Sequence, residues 1–280
     1  METKSIKKIY DVTGKVALIT GGAGMLGMKH AEAIAEAGGS VVLADLDKED
    51  VTASAKKVAS DFGVEAMGLP VDITKKDQVE EMVRKIGDRF QRIDILINNA
   101  ALTVKGGSKN WNGYFSPFEE YPLDLWERAL EVNLTGMFLC SQAVGKRMIQ
   151  QGGGVMLNIA SMAGLVGPDH RIYEGVKGPY AGGSFNTPIS YSTTKAGVIN
   201  FTRYLATYWA SKNIRVNVLS PGGVYDGHDE IFVKNYSSRV PLGRMADRNE
   251  YKGAVLFLVS DASSYMTGAN LVVDGGWTAW

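Results

Sequence analysis

The stretch that decides the fold is residues 16–27, VALITGGAGMLG. Val16, Ala17, Leu18 and Ile19 form an apolar run that ends at Thr20, and glycines follow at Gly21, Gly22, Gly24 and Gly27. Directly after them, Leu26, Ala33, Ile34 and Ala37 recur at helical spacing and share one face. The order is strand, glycine-rich turn, helix. Glycine matters at such a turn because a backbone without Cβ bends tightly and lets a pyrophosphate approach closely. The helix that opens there aims its free N–H groups and the positive end of its dipole at the same place. Asp45 closes the next apolar run, residues 41–44. A carboxylate in that position accepts hydrogen bonds from both ribose hydroxyls of an adenosine. The competing reading is an ordinary strand–turn–helix connection whose glycines serve packing.

Outward from this unit, apolar runs and helical stripes alternate. Strands are expected at 41–44, 66–71, 93–97, 155–159, 214–219 and 271–273, and helices at 48–61, 123–150, 191–211 and 250–259. Thr74 with Asp77 reads as a capping box for a helix striped by Val79, Met82, Val83, Ile86 and Phe90. Alternation of this kind predicts an α/β fold, a doubly wound parallel sheet of about seven strands with helices on both faces. No linker or repeat interrupts it, so 1–280 reads as one domain. Segments 102–122 and 162–190 break the rhythm and are rich in Gly, Pro, Asn and aromatics. Both follow carboxyl ends of expected strands, where open α/β sheets bind ligands, and they read as substrate-side walls rather than surface loops.

Bulk composition narrows the function classes. Lys+Arg and Asp+Glu balance at 30 each, so no net field favours nucleic acid or an anionic membrane. The single cysteine, Cys140, lies in an apolar run and reads as a buried thiol in a reducing compartment. No apolar run has the length of a membrane span, and the basic N-terminus lacks the apolar core of a signal peptide, which points to a cytoplasmic protein. No His/Cys/Asp cluster has metal-ligand spacing, and His30 is simplest as a packing or surface residue.

Tyr191 and Lys195 stand at i and i+4 in a helical pattern, on one face. Proton transfer to or from a reacting alcohol or carbonyl oxygen needs an acid/base group beside it. Tyrosine is a poor base at neutral pH, but an ammonium one turn away favours its phenolate. Ser161 has the hydroxyl to hold a substrate oxygen. Together with TGGAGMLG, Asn98-Asn99-Ala100-Ala101, Asn133 and Ser220-Pro221-Gly222, these residues resemble the short-chain dehydrogenase/reductases, in order over residues 12–276. The resemblance implies a Rossmann fold, NAD as cofactor and an alcohol–carbonyl oxidoreductase. It implies Asn133, Ser161, Tyr191 and Lys195 as the catalytic set, with Asn133 anchoring a relay water and Lys195 also reaching the nicotinamide ribose. It further implies a cofactor site of Gly21, Gly24, Met25, Leu26, Gly27, Asp45, Leu46, Asp72, Ile73, Asn99, Ala100, Tyr191, Lys195, Pro221, Gly222 and Val224. By resemblance, too, helices 123–150 and 191–211 pack against symmetry mates in a homotetramer or homodimer, with the aromatic C-terminus covered by a neighbour or by the chain's own substrate loop.

Two departures from the family pattern matter. Tyr173 and Lys177 also spell Y-x-x-x-K, 12 residues after Ser161 and near the family's usual spacing, whereas Tyr191 lies 30 after it. Gly178 and Pro179 follow Lys177, so no helix holds that lysine in place, and Tyr191 is the choice. The glycine loop reads T-G-x-x-G-x-x-G, with Met25 where short members of the family carry glycine, as in the longer sugar-nucleotide-modifying branch. An epimerase or dehydratase of that branch, and a nucleotide sensor without turnover, are the alternative functions. For substrate, the walls offer Lys105, Lys109, Trp111, Asp169, His170, Arg171 and Lys177, and the stretch after the sixth strand adds Tyr225, Asp226, His228 and Asp229. Such mixtures suit a polyhydroxylated or anionic small molecule, and residues 191–280 resemble bacterial reductases of sugar-modifying pathways.

Overall fold

An unbroken apolar run such as Val16–Ile19 suits a strand covered on both faces, and β1 (Val16–Thr20) is buried along its whole length in the computed structural model, which describes residues 5–102, 113–176 and 186–280. In chain order the described elements are α1 (Ile6–Tyr10), β1, α2 (Met25–Glu36), β2 (Ser40–Asp45), α3 (Lys48–Phe62), β3 (Ala66–Pro70), α4 (Lys76–Phe90) and β4 (Ile95–Asn98). There follow α5 (Leu123–Leu130), a π turn (Glu131–Gly136), α6 (Met137–Gln150), β5 (Gly154–Ile159), α7 (Ile189–Trp209), β6 (Ile214–Pro221), α8 (Glu230–Ser237), α9 (Lys252–Val259) and β7 (Asn270–Val273). Among the described residues the strands form one seven-stranded parallel sheet in the order β3-β2-β1-β4-β5-β6-β7.

That order reverses direction between β1 and β4, which opens a crevice at the carboxyl ends of those strands. The glycine turn after β1 and Asn99-Ala100 after β4 face it from either side. Helices cover both faces, as both-side burial requires. One core joins Leu18, Leu96 and Met156 to Met82 and Ile86 of α4, Val144 and Met148 of α6 and Trp209 of α7. The other joins Ile19, Leu43 and Ile97 to Ile34 of α2, Val51 and Val58 of α3 and Leu258 of α9. Cys140 lies in the first core, and burial pushes its thiol up to about 12. Among the described residues no helix is long and apolar enough to cross a membrane.

Polar side chains at core positions are tied together. Asn98 of β4 donates to Ser141 of α6 at 3.0 Å and to the Asn158 carbonyl of β5 at 2.9 Å, and Asn158 donates to Thr202 of α7 at 2.9 Å. Buried amides persist only where partnered, and this chain fixes both long helices to the sheet.

One expectation needs correction. The Thr74–Asp77 capping box does not form: α4 begins at Lys76, and its cap, Lys75, makes no side-chain bond. Asp72 takes the Thr74 hydroxyl at 2.7 Å and amide at 3.0 Å in a local turn, so the threonine is already committed. His30, read as a packing or surface residue, is fully buried and packs. The helix α8 lies in a stretch with no strong apolar period and was not expected.

Candidate active site

The crevice begins at the glycine turn. Gly21 has φ +62°, and a Cβ there would lie 2.9 Å from the Ala100 Cα. A Cβ on Gly27 would lie 2.1 Å from the Gly21 carbonyl oxygen, so only glycine lets the first turn of α2 sit on the loop. Gly24 is the N-cap of α2, and the first amide to bond back is Met28 N–H, to Gly24 at 2.9 Å. The amides of Met25, Leu26 and Gly27 stand ahead of any intrahelical carbonyl, at the positive end of the helix. Met25 thus occupies the first helical position, and glycine is not needed there. Asn99 braces the turn: its amide donates to the carbonyls of Thr20 and Gly21, 3.0 Å each, while Thr20 Oγ1 accepts from the amides of Asn99 and Ala100, 3.1 Å each.

Asp45, at the end of β2, turns its carboxylate to the same loop and accepts from Ala23 N–H at 3.0 Å and Leu46 N–H at 2.8 Å. At the end of β3, Ile73 is buried, close enough to Gly136 that a Cβ there would lie 2.7 Å from its Cδ1. Pro221 ends β6, Gly222 N–H bonds to Val273 at 2.9 Å, and Val224 bridges to Ala246. A Cβ-free cradle, a helix N-terminus and an acceptor carboxylate on one crevice fit a dinucleotide in the chemistry of their donors and acceptors.

The second half of the site lies on α7 and the end of β5. Lys195 Nζ sits 5.7 Å from the centre of the Tyr191 ring, as one helical turn dictates. It donates to the Ile159 carbonyl at 2.7 Å. Burial lowers its ammonium to about 8. Ser161, two residues beyond Ile159, caps the short turn Met162–Gly164 by accepting from Ala163 N–H at 3.2 Å, and its hydroxyl is near enough to the Tyr191 phenol to favour the phenolate. The Tyr191 phenol nonetheless stands above its ordinary value because burial outweighs that influence. The shift is opposite to the one expected from a neighbouring ammonium, since Lys195 is turned to Ile159 and is itself weakened by desolvation.

Asn133 lies in the π turn, a form that recurs where function needs a helix to swell. Its oxygen accepts from Leu102 N–H at 2.7 Å and its amide donates to Thr194 Oγ1 at 3.0 Å; Thr194 in turn donates to the Ser190 carbonyl at 2.8 Å. Asn133 therefore touches the residue next to Lys195 through Thr194, a partner the sequence did not mark. Asn133, Ser161, Tyr191 and Lys195 converge from three separate elements.

The walls come from three segments. Tyr114 is buried, with its hydroxyl 3.4 Å from the Leu102 carbonyl, and Tyr121 bonds to Ser190 at 2.7 Å. From 162–190, the short turn His170–Tyr173 docks on α8. Asn235 donates to the carbonyls of Ile172 and Glu174 at 3.3 and 2.9 Å, and Arg239 pairs with Asp169 at 3.3 Å. Tyr173 is the last residue of that 3-10 turn, and Lys177, Gly178 and Pro179 lie outside the described residues. Arg171 closes on Asp169 through two 2.8 Å bonds. Asp229 caps α8 by accepting from Ile231 N–H at 2.8 Å, and Asp226 pairs with Arg248 at 3.8 Å, so neither carboxylate is committed to the crevice. His228 stacks on Phe232 at 5.1 Å, and Tyr225 lies 6.3 Å from His228. Tyr236 accepts from Gly223 N–H at 2.6 Å and stacks on Trp277 at 4.6 Å. Trp277 is thus covered by its own chain, while Trp280 is exposed. Lys105, Lys109, Trp111 and Lys177 lie outside the described residues. Among those described, no group of His, Cys, Asp or Glu could hold a metal ion.

Residues 15–232 match the family model described as short chain dehydrogenase. The chain is similar to the NAD-dependent glycerol dehydrogenase of Listeria innocua, 35% identical with 99% of each chain covered. It is also similar to the D-threitol dehydrogenase of Mycolicibacterium smegmatis, 34% identical over 96% of this chain and 95% of that one. Among solved structures, the gluconate 5-dehydrogenase of Burkholderia cenocepacia, in complex with NADP and tartrate, superposes with a TM-score of 0.85 at 29% identity, covering 99% of this chain and 100% of that one. With the sheet order, the glycine cradle and full-length relatives in agreement, the chain belongs to the short-chain dehydrogenase/reductase family and is an oxidoreductase acting on CH–OH groups.

Proposed function

We propose that this chain is an NAD(H)-dependent oxidoreductase interconverting an alcohol and a carbonyl on a small polyhydroxylated substrate, with Tyr191 as the acid/base. The observation that carries the reading is the hydroxyl pair of Ser161 and Tyr191, backed by Lys195 one turn away, in the crevice beyond the glycine cradle. Gly21, Gly24, Gly27 and the amides of Met25 and Leu26 would hold the pyrophosphate, and Asp45 the adenosine ribose. The nicotinamide, when bound, supplies the hydride acceptor for oxidation and the donor for reduction.

In the oxidising direction Ser161 holds the substrate hydroxyl and Tyr191, as phenolate, takes its proton. In the reducing direction Tyr191 as phenol returns that proton to the carbonyl oxygen. Lys195 keeps a cation one turn from that phenolate, held on the Ile159 carbonyl, and Asn133 fixes the α7 turn through Thr194. Asp45 favours NAD(H), because the extra phosphate of NADP(H) would meet like charge there. Aromatic walls with phenol hydroxyls suit a polyol, which offers C–H faces and hydroxyls together. The similarity to glycerol and D-threitol dehydrogenases supports that class. Exposed apolar side chains on α5–α7, Leu123, Phe138 and the stacked pair Tyr204 and Tyr208, support a homodimer or homotetramer built on these helices.

The test is Tyr191→Phe. It keeps the ring and removes the proton-transferring oxygen, so turnover of polyols falls by about a hundredfold or more, within the usual range for acid/base catalysis. NAD+ binding, followed by calorimetry, stays within about twofold. Retention of full turnover would refute the assignment, whereas Tyr173→Phe is expected to leave measurable activity.

A further inference from the structure

We infer that Tyr173, with Thr187, is the specificity-determining pair that binds a second hydroxyl of the substrate, on a carbon near the one oxidised. This rests on the reading of the site as an alcohol–carbonyl centre and adds to it a requirement for a polyol. Tyr173 belongs to the Y-x-x-x-K sequence that the catalytic assignment leaves unused.

Its hydroxyl lies 3.3 Å from Thr187 Oγ1, and Thr187 stands one turn ahead of Tyr191, just before the start of α7. Its ring packs on Phe232 at 5.4 Å and joins a cluster with Met162, the residue after Ser161, and Tyr236. The pair therefore sits between the Ser161 side and the Tyr191 side of the centre. Asn235 holds the carbonyls flanking Tyr173, and Arg239 holds Asp169, so the ring is fixed before substrate arrives. Two adjacent hydroxyls offer one donor and one acceptor to a third, which is what a neutral hydroxyl needs. The charge around them argues for a neutral group rather than an acid. Arg171 and Arg239 are both engaged by Asp169, and His170 Nδ1 accepts from Thr187 N–H at 3.4 Å, so the charged and imidazole groups described on this wall are already engaged beside the hydroxyl pair.

The experiment compares D-threitol with 2-butanol, four carbons each, in the wild type, Tyr173→Phe and Thr187→Val, under saturating NAD+. The expected result is that Tyr173→Phe lowers the ratio of kcat/KM for threitol over 2-butanol about tenfold, the cost of one neutral hydrogen bond. The loss falls on KM, since the contact is made in ground and transition state alike. Thr187→Val, which leaves the Tyr173 ring in place, shifts the ratio in the same direction by a smaller factor. An unchanged ratio, or a loss confined to kcat and equal for both alcohols, overturns the inference and leaves Tyr173 a packing residue. A wild type that oxidises 2-butanol at least as well as threitol overturns it too, while the alcohol–carbonyl reading stands. A wild type inactive on both alcohols, and on longer polyols, with either NAD+ or NADP+ overturns that reading and the inference with it.

Discussion

His30 gives a sharp test of the packing beneath the glycine loop. Its imidazole is fully buried on α2, one turn after Gly27, and among the described residues neither nitrogen has a hydrogen-bond partner. Asn99 lies beside it but spends its amide protons on Thr20 and Gly21. Burial therefore disfavours the charged ring and lowers its pKa from 6.5 to about 4. In the unfolded chain the same ring protonates at its ordinary value. Between those two values the unfolded state binds the extra proton, so His30 weakens the fold as pH falls and the effect vanishes above about pH 7.5. At pH 5, 1.36 × log10[(1 + 10^1.5)/(1 + 10^−1)] gives a loss of about 2 kcal/mol relative to pH 8. His30→Leu keeps the apolar packing and removes the proton site. The stability of variant minus wild type, from urea melts at fixed protein concentration, should rise by about 2 kcal/mol between pH 8 and pH 5. In thermal melts that corresponds to roughly 4–8 °C for a chain of this size. His170 and His228 are present in both proteins and cancel. A difference that stays constant with pH would show that the buried ring finds a partner or charges freely.

Three further outcomes follow from the site. Asp45→Ala should narrow the preference for NAD(H) over NADP(H) by about tenfold or more in kcat/KM, because it removes both the ribose acceptor and the like charge; a wild type that prefers NADP(H) would mean that Asp45 does not face the ribose. Burial holds the Tyr191 phenol up, so kcat/KM for alcohol oxidation should climb as pH rises through neutrality while carbonyl reduction stays level there and falls only in the alkaline range, and parallel profiles in the two directions would contradict the assignment of Tyr191 as the titrating group. Sedimentation at micromolar concentration should show a dimer or tetramer, and substituting charged residues for Tyr204 and Tyr208 should shift it toward monomer.

Most of the sheet, and the placing of Lys195 beside Tyr191, was legible in the sequence because each rests on local pattern. Val16–Ile19 followed by spaced glycines has few other physical readings, and Tyr191 and Lys195 are placed by helical geometry with no tertiary information. What escaped depends on contacts distant in sequence. Thr194 matters only because the π turn brings Asn133 to it. Tyr173 and Tyr236 come from two segments, and nothing in their local sequence says that they join one cluster. Helix α8 was hidden because its apolar residues face a loop, with Tyr236 buried against Trp277 and Phe232 against Tyr173, rather than the sheet.

The π turn at residues 131–136 inserts an extra residue into what is otherwise one helix from 123 to 150. Each added residue rotates everything downstream by about 100° relative to everything upstream. The helix is therefore two half-screws out of phase: Ala129 is buried on one angular setting, while Met137, Cys140, Val144 and Met148 are buried on another. Excising a single residue here would restore a regular α-helix and better local hydrogen bonding. It would also turn the α5 half away from α7 and carry Asn133 off Thr194, so the more regular helix would belong to a poorer enzyme.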